Sequence, residues 1–87
     1  MNHTSQFNKQ RILQEVTTIV SKKLNIAPER VTPDATLEIL GADSLDLVEI
    51  IINCEERFNV AISDQDAQHL TDVNSVVNYI DGLLHNS

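Results

Sequence analysis

The stretch Gly41-Ala42-Asp43-Ser44-Leu45-Asp46 leads directly into an apolar-rich segment, residues 47–58. Glycine adopts backbone angles that other residues avoid, and a short acidic side chain can satisfy the free amides of a first helical turn. The stretch therefore predicts a turn at Gly41 and a helix over residues 44–58. Because Asp43 can be the N-cap, the Ser44 hydroxyl stands at the helix start. The alternatives are that Ser44 is itself the N-cap and nothing more, or that Asp43 caps the helix and the Ser44 hydroxyl is free for modification.

The predicted helix over residues 44–58 has two apolar faces when each residue advances by about 100°. The core stripe consists of Leu47, Ile50, Ile51, Cys54 and Phe58. A second set, called the outer strip below, consists of Leu45, Val48 and Ile52 and is flanked by Glu49, Glu55 and Glu56. One buried face per helix is enough for a small domain, so the outer strip predicts a surface for transient protein binding. The alternative is that the third helix or the preceding loop covers part of the strip, above all Val48.

Apolar residues spaced by three and four predict a first helix over residues 6–24, with Ser5 as its cap and Asn25 at its end. A long connection, residues 25–43, follows. Its apolar side chains predict that it is pinned to the core, with a brief helical turn over residues 35–40. These side chains are Ile26, Val31, Leu37, Ile39 and Leu40.

The last third of the chain predicts two more helices. A capping pattern that begins at Ser63 predicts a short third helix over residues 64–69, and Val60 or Ile62 is expected in the core just before it. A final helix is expected from residue 71 or 72 onward, fraying after residue 84. The expected fold is all-α: a small four-helix bundle with a short third helix and a long loop between helices one and two.

The 87 residues have a net charge of -7, and eleven acidic residues against a single arginine, Arg57, follow residue 33. Such a surface repels nucleic acid and anionic membranes and attracts basic partners. A single cysteine, Cys54, excludes an internal disulfide. No apolar run has the roughly 18 residues that a membrane-spanning helix needs. The sequence thus predicts a soluble protein of the cytoplasm that binds neither nucleic acid nor membrane.

Catalytic chemistry is not expected from these residues. Ser44 lacks the Gly-x-Ser-x-Gly frame of a nucleophile elbow, and His69 has no identifiable orienting partner. The Asp64-Gln65-Asp66 segment is not followed by the glycine and glutamate of a calcium loop. A phosphoryl group on Ser44, by contrast, would lie at a helix N-terminus, where unpaired amides and the helix dipole favour it. We therefore expect no catalytic residue and no metal site.

The stretch Gly41 to Asp46 resembles the phosphopantetheine attachment motif of acyl carrier proteins. Further matches to that family are Val31-Thr32-Pro33, Thr36-Leu37-Glu38, Val48-Glu49, Glu55-Glu56-Arg57-Phe58, Ile62 and the segment from Val73 to Ile80. The resemblance is strongest to the discrete carriers of bacterial type II fatty acid synthesis. It divides the chain into a polar N-terminal lead (residues 1–7), an acyl-carrier-like domain (residues 8–84) and a C-terminal tail (residues 85–87).

The resemblance implies that a phosphopantetheinyl transferase attaches 4'-phosphopantetheine from coenzyme A to Ser44. The thiol of this arm would hold acyl intermediates as thioesters for fatty-acid or related lipid and polyketide enzymes with basic docking patches. It also implies a monomer and a sheltering cavity, for which Ile50, Cys54, Ile62 and residues of the last helix are candidate walls. The partner-binding positions it implies are Asp43, Leu45, Asp46, Val48, Glu49, Ile52, Glu55 and Glu56.

The chain departs from the common family pattern at Leu47, Asn53, Cys54 and Arg57. Arg57 stands where an acid is frequent and weakens the acidic face at its far end. These departures, with the basic first helix, raise the option of a specialised carrier rather than a housekeeping one. A different function also stays open: a non-carrying interaction subunit of the same fold that docks through its acidic second helix.

Overall fold

The structure is a computed structural model that describes residues 7–85. Its four helices are α1 (Lys9–Leu24), α2 (Ser44–Phe58), α3 (Asp64–Ala67) and α4 (Val73–His85), and α1 packs against both α2 and α4. No strand occurs in the described range. The predicted all-α bundle with a short third helix is confirmed. None of the described helices is long and apolar enough to cross a membrane.

The first helix begins later than predicted. Asn8 is its N-cap, and the Asn8 Oδ1 atom accepts the Arg11 amide at 2.8 Å. Ser5, the predicted cap, lies outside the described residues, and the cap position of α1 belongs to Asn8. At the other end, Asn25 adopts a left-handed conformation with φ of 56°, as predicted for the residue that ends the helix.

The connection between α1 and α2 is pinned to the rest of the molecule by backbone hydrogen bonds. Leu37 N donates to Thr71 O at 2.9 Å, and Val73 N donates to Ala35 O at 3.1 Å, which ties the loop to the start of α4. The brief helical turn predicted over residues 35–40 is present as a single turn, in which Leu40 N donates to Thr36 O at 3.2 Å and Gly41 N donates to Glu38 O at 2.9 Å. The loop also has a 3₁₀ turn at Pro28–Arg30 that was not predicted. A proline at the first helical position favours that earlier site.

Inward placement holds for most apolar residues of this loop, but not for Ile39. Val31, Leu37 and Leu40 are buried, whereas the side chain of Ile39 is 76% exposed. The prediction that Ile39 faces the core is therefore wrong. Leu37 and Leu40 already occupy the inward positions of this tight turn, so the residue between them points to solvent.

The segment that follows α2 is fixed at both ends. Asn59 leaves the helix in a left-handed conformation, and Ile62 is the predicted apolar anchor that is buried. The Ser63 hydroxyl caps α3 by accepting the Asp66 amide at 3.1 Å, as predicted. The carboxylate of Asp66 accepts the Tyr79 hydroxyl at 2.6 Å, so α3 is held against α4. The helix itself is two residues shorter than predicted. Fraying was expected after residue 84, but His85 is still part of α4; residues 86 and 87 lie outside the described range.

One apolar core unites the helices and the loop. Its fully buried members include Ile12, Val16, Val20, Leu37, Ile50, Cys54, Val73, Val76 and Ile80. Burying an aliphatic side chain of this size contributes about 1.5–3 kcal/mol. The core stripe of α2 points into this cluster: Ile50, Cys54 and Phe58 are buried, and Leu47 and Ile51 are partly buried against it. The opposite side of α2 is consequently left to solvent.

Candidate functional site

The turn before α2 places Ser44 at the surface. Gly41 has a φ of 102°, which favours glycine, and the side chains on both sides of it, Leu40 and Ala42, are buried. Ala42 N donates to Leu37 O at 3.0 Å. Buried anchors on either side of the glycine thus fix the direction in which the chain enters α2.

Asp43 and Asp46 form a reciprocal capping box at the start of α2. The Asp43 carboxylate accepts the Asp46 amide at 2.9 Å, and the Asp46 carboxylate accepts the Asp43 amide at 3.2 Å. Two of the amides that a helix start leaves unpaired are satisfied in this way. Asp43 therefore takes the capping role that the sequence allowed it, and capping does not involve Ser44.

Ser44 is exposed, and its hydroxyl has no hydrogen-bond partner among residues 7–85. Its own amide and that of Leu45 likewise find no acceptor in that range. Two free amides at the positive end of a 15-residue helix favour a negatively charged group on the neighbouring hydroxyl. The site thus fits a covalently attached phosphoryl group: its oxygen is accessible and its donors are unused.

A groove lies beside this helix start, between α2, the loop before it and the segment around α3. It has a volume of about 210 Å³. Its walls are mainly apolar and include Leu37, Leu47, Ile51, Ala67 and Leu70. Ile50, Cys54 and Ile62, the walls expected from the sequence, are buried in the core and do not line it. No residue of α4 lines it either, and the groove opens along the Leu47–Ile51 edge of α2 instead.

The outer strip of α2 is exposed. Leu45, Val48 and Ile52 are 65%, 54% and 45% exposed. The loop and α3 therefore do not cover the strip, and the alternative considered for Val48 is wrong. Ile39 is the only more exposed large apolar residue in the described chain, and it was missed because the loop's apolar residues were all assigned to the core.

The acidic rim of the outer strip is less free than the sequence suggested. Glu49 forms an ion pair with Lys23 of α1, and this hydrogen bond raises the pKa of the lysine. The Glu55 carboxylate accepts the Ile62 amide at 2.8 Å and so helps to hold the chain after α2. Glu56 is exposed and makes no ion pair in the described range. The ion pair between Lys23 and Glu49 was missed because a lysine in the last turn of α1 is explained equally well by the helix dipole.

Arg57 turns away from the acidic rim and towards α1. Its Nε atom donates to Glu15 at 2.8 Å, and its guanidinium lies over the ring of Phe7. Cys54 is fully buried, and burial raises the pKa of its thiol to about 12, so the thiol is inert. Within residues 7–85, no group of three His, Cys, Asp or Glu side chains can hold a metal ion.

Comparison with known proteins agrees with this geometry. The family described as "Phosphopantetheine attachment site" matches residues 14–80. An acyl carrier protein of Campylobacter fetus is 45% identical over 73 residues, which are 83% of this chain and 95% of that protein. The solved acyl carrier protein of Enterococcus faecalis is 31% identical, with a TM-score of 0.75 over 87% of this chain and 98% of its own.

A solved free-standing peptidyl carrier protein of Acinetobacter baumannii superposes with a TM-score of 0.79, over 90% of this chain and 98% of its own. Its identity is 19%, so it supports the fold alone. The chain therefore belongs to the acyl carrier protein family, whose members are carriers rather than enzymes, bear a covalently bound 4'-phosphopantetheine and interact with phosphopantetheinyl transferase and biosynthetic enzymes.

Proposed function

We propose that this chain carries acyl intermediates on a 4'-phosphopantetheine arm attached to Ser44 and delivers them to enzymes of fatty-acid or related lipid and polyketide synthesis. The observation that supports this most is the state of Ser44: an exposed hydroxyl without a hydrogen-bond partner among the described residues, at the first position of α2. The arm supplies a terminal thiol that holds the acyl group as a thioester.

The residues around Ser44 suit an enzyme-catalysed attachment. Asp43 and Asp46 satisfy each other's amides, so neither competes for the serine hydroxyl. The unused amides of Ser44 and Leu45 are donors for a phosphodiester formed on the serine oxygen. The base and the metal ion would come from the transferase, because no side chain among residues 7–85 is hydrogen-bonded to the Ser44 hydroxyl to take its proton.

We further propose that the groove beside α2 shelters the start of an acyl chain. Leu47, one of its walls, lies three residues after Ser44, which is about 4.5 Å along the helix axis. Each methylene moved from water into such a groove is worth about 0.8 kcal/mol. The groove's 210 Å³ is small, so longer chains require Leu47 and Ile51 to move apart from the loop.

Docking would use the exposed side of α2. The proposed contact positions are Asp43, Leu45, Asp46, Val48, Glu49, Ile52, Glu55 and Glu56. The three exposed apolar residues of the outer strip provide the buried centre of such a contact, and the carboxylates around them steer basic enzyme patches. Weak and reversible contacts of this kind suit a cytoplasmic carrier that acts as a monomer and visits several enzymes in turn.

Intact-mass measurement tests the attachment directly. The purified protein is incubated with coenzyme A and a broad-specificity phosphopantetheinyl transferase, and we expect the mass of one phosphopantetheinyl group to be added. Ser44→Ala should abolish the gain. Ser63→Ala is the matched control, because it removes another exposed serine at a helix start and should leave the gain intact. No gain for the unmodified sequence, beside a known carrier that is modified, would instead favour the non-carrying interaction subunit.

A further inference from the structure

A second groove, of about 470 Å³, lies where α1 meets α2. Its lining includes Ile19, Lys22 and Lys23 from α1, Asn53 and Arg57 from α2, and one carboxylate, that of Glu15. The chain has six lysines and arginines in total, and three of them line this groove. The protein has a net charge of -7, so a groove with three of its six basic residues differs in charge from the acidic surface beside it.

The positive charges here are not fully compensated. Glu15 pairs with both Arg11 and Arg57, and Glu49 pairs with Lys23. Lys22 is exposed and makes no ion pair among residues 7–85. Of the three cations that line the groove, Arg57 is paired with the lining Glu15 and Lys23 with the neighbouring Glu49, which leaves the charge of Lys22 uncompensated.

Arg57 is held in one place but keeps part of its hydrogen-bonding capacity. Its Nε atom is fixed on Glu15 at 2.8 Å, and its guanidinium carbon lies 5.3 Å from the centre of the Phe7 ring. That ring packs edge-on against Phe58, with 5.0 Å between the ring centres. The Nη atoms of Arg57 donate to no acceptor in the described chain. An arginine fixed in this way can bind a carboxylate with less loss of side-chain entropy than a mobile one.

We infer that this groove binds an acidic side chain of a partner protein docked along α2. A polyanion such as nucleic acid would be repelled by the eleven acids of the second half of the chain, whereas a single carboxylate would not be. The groove is also open to solvent and does not enclose a small ligand. A carboxylate is therefore held there only as part of a protein that is docked on the surrounding surface. The partner that fits this surface presents basic residues to the acidic rim and an Asp or Glu to the groove.

The position of the groove agrees with simultaneous contact. Asn53 and Arg57 follow Ser44 by 9 and 13 residues, which is about 14–20 Å along the helix. The groove borders the rim of the outer strip, because Glu49 pairs with the lining residue Lys23. An enzyme that holds the Ser44 end and extends across Glu49 therefore contacts the groove. An enzyme with acidic residues opposite the acidic rim, or basic residues opposite the groove, would be repelled. The two regions therefore select among enzymes as well as attracting them.

This inference rests on the docking part of the proposed function, and charge reversal tests it by the sign of the effect. We would measure kcat/KM for acyl transfer between the phosphopantetheinylated protein and the condensing enzyme of the same organism. If only acidic steering mattered, Lys22→Glu and Arg57→Glu would raise kcat/KM. Our inference predicts a fall of about fivefold for each, as for a contact worth roughly 1 kcal/mol.

Arg30→Glu is the matched control. It makes the same change in net charge at an exposed position in the 3₁₀ turn, outside the groove, and should not lower kcat/KM. Arg57→Glu faces Glu15 and can disturb the fold, so Lys22→Glu, at an unpaired exposed site, is the deciding variant if the helical circular dichroism of Arg57→Glu changes. Rates equal to or above those of the unmodified sequence for Lys22→Glu overturn the inference. Failure of Ser44 modification itself would instead overturn the proposed function.

Discussion

Two sets of side chains share α2: one is bonded to the rest of the molecule, and the other is left to solvent. Ile50, Glu55 and Phe58 belong to the first set, through the core and the hydrogen bond to Ile62. Ser44, Ile52 and Glu56 belong to the second. Position on the helix, and not residue type, separates the sets, since isoleucine and glutamate occur in both. The comparison teaches that the helix is anchored on one side so that its other side can be offered to other proteins.

Substituting the same residue type on the two sides should give the largest contrast. Ile50→Ala removes a fully buried side chain and should lower the free energy of unfolding by about 2–5 kcal/mol. Ile52→Ala, at a position 45% exposed, should change it by less than about 0.5 kcal/mol. Urea unfolding followed by circular dichroism measures both values.

Acyl transfer should depend on Ile52 although stability does not. Because the variant keeps its fold, any loss of acyl transfer to the cognate condensing enzyme reports on docking, and we expect kcat/KM to fall. A cost above 1 kcal/mol for Ile52→Ala would show that this residue is part of the core. Unchanged transfer rates would remove it from the docking surface.

The neighbouring glutamates offer a second, smaller contrast. Glu55→Ala leaves the partly buried Ile62 amide without its acceptor and should cost about 1–3 kcal/mol. Glu56→Ala removes an exposed carboxylate with no partner among the described residues and should be nearly neutral for stability. Equal effects on urea midpoints would mean that the Glu55 hydrogen bond contributes nothing, and Glu55 would then join the free set.

Local patterns were enough to predict α2 from its first residue to its last. The capping role of Asp43, the apolar period and the end at Asn59 all depend on residues close in sequence, which is why the outer strip could be separated from the core stripe. The roles of Glu49 and Glu55 could not be predicted in the same way. Each depends on where another segment packs, Lys23 of α1 in one case and the chain after Asn59 in the other.

The same limit explains the errors in the loop and at the start of α1. Ile39 was assigned to the core by its side chain alone, but a tight turn between Leu37 and Leu40 has no third inward position. Ser5 and Asn8 are both good capping residues three positions apart, so the sequence could not choose between them. Arg57 was placed at the far end of the acidic face by the family pattern, and only the packing of α1 shows that it reaches Glu15.

The ion pair between Glu15 and Arg57 gives the smallest expected contrast between a variant and its control, and it tests the bonded side of α2 through its pH dependence. The hydrogen bond from Arg57 lowers the pKa of Glu15 below its ordinary value of about 4.5. A carboxylate whose pKa is lower in the folded state stabilises that state fully above the ordinary pKa, and the contribution is lost as pH falls through the folded value. Glu15→Gln should therefore lower the melting temperature at pH 7 by a degree or a few, consistent with about 1 kcal/mol or less for a surface pair.

The difference in melting temperature between Glu15→Gln and the unmodified sequence should stay constant from pH 7 to about pH 5 and shrink below about pH 4.5. Glu29→Gln is the control, because Glu29 is exposed and makes no ion pair within residues 7–85. A difference that did not depend on pH would mean that the amide disturbs packing rather than charge. Glu15 also positions Arg57 in the groove between α1 and α2. A pH-dependent difference in melting temperature would therefore show that the same ion pair stabilises the fold and holds a residue of the proposed partner-binding groove.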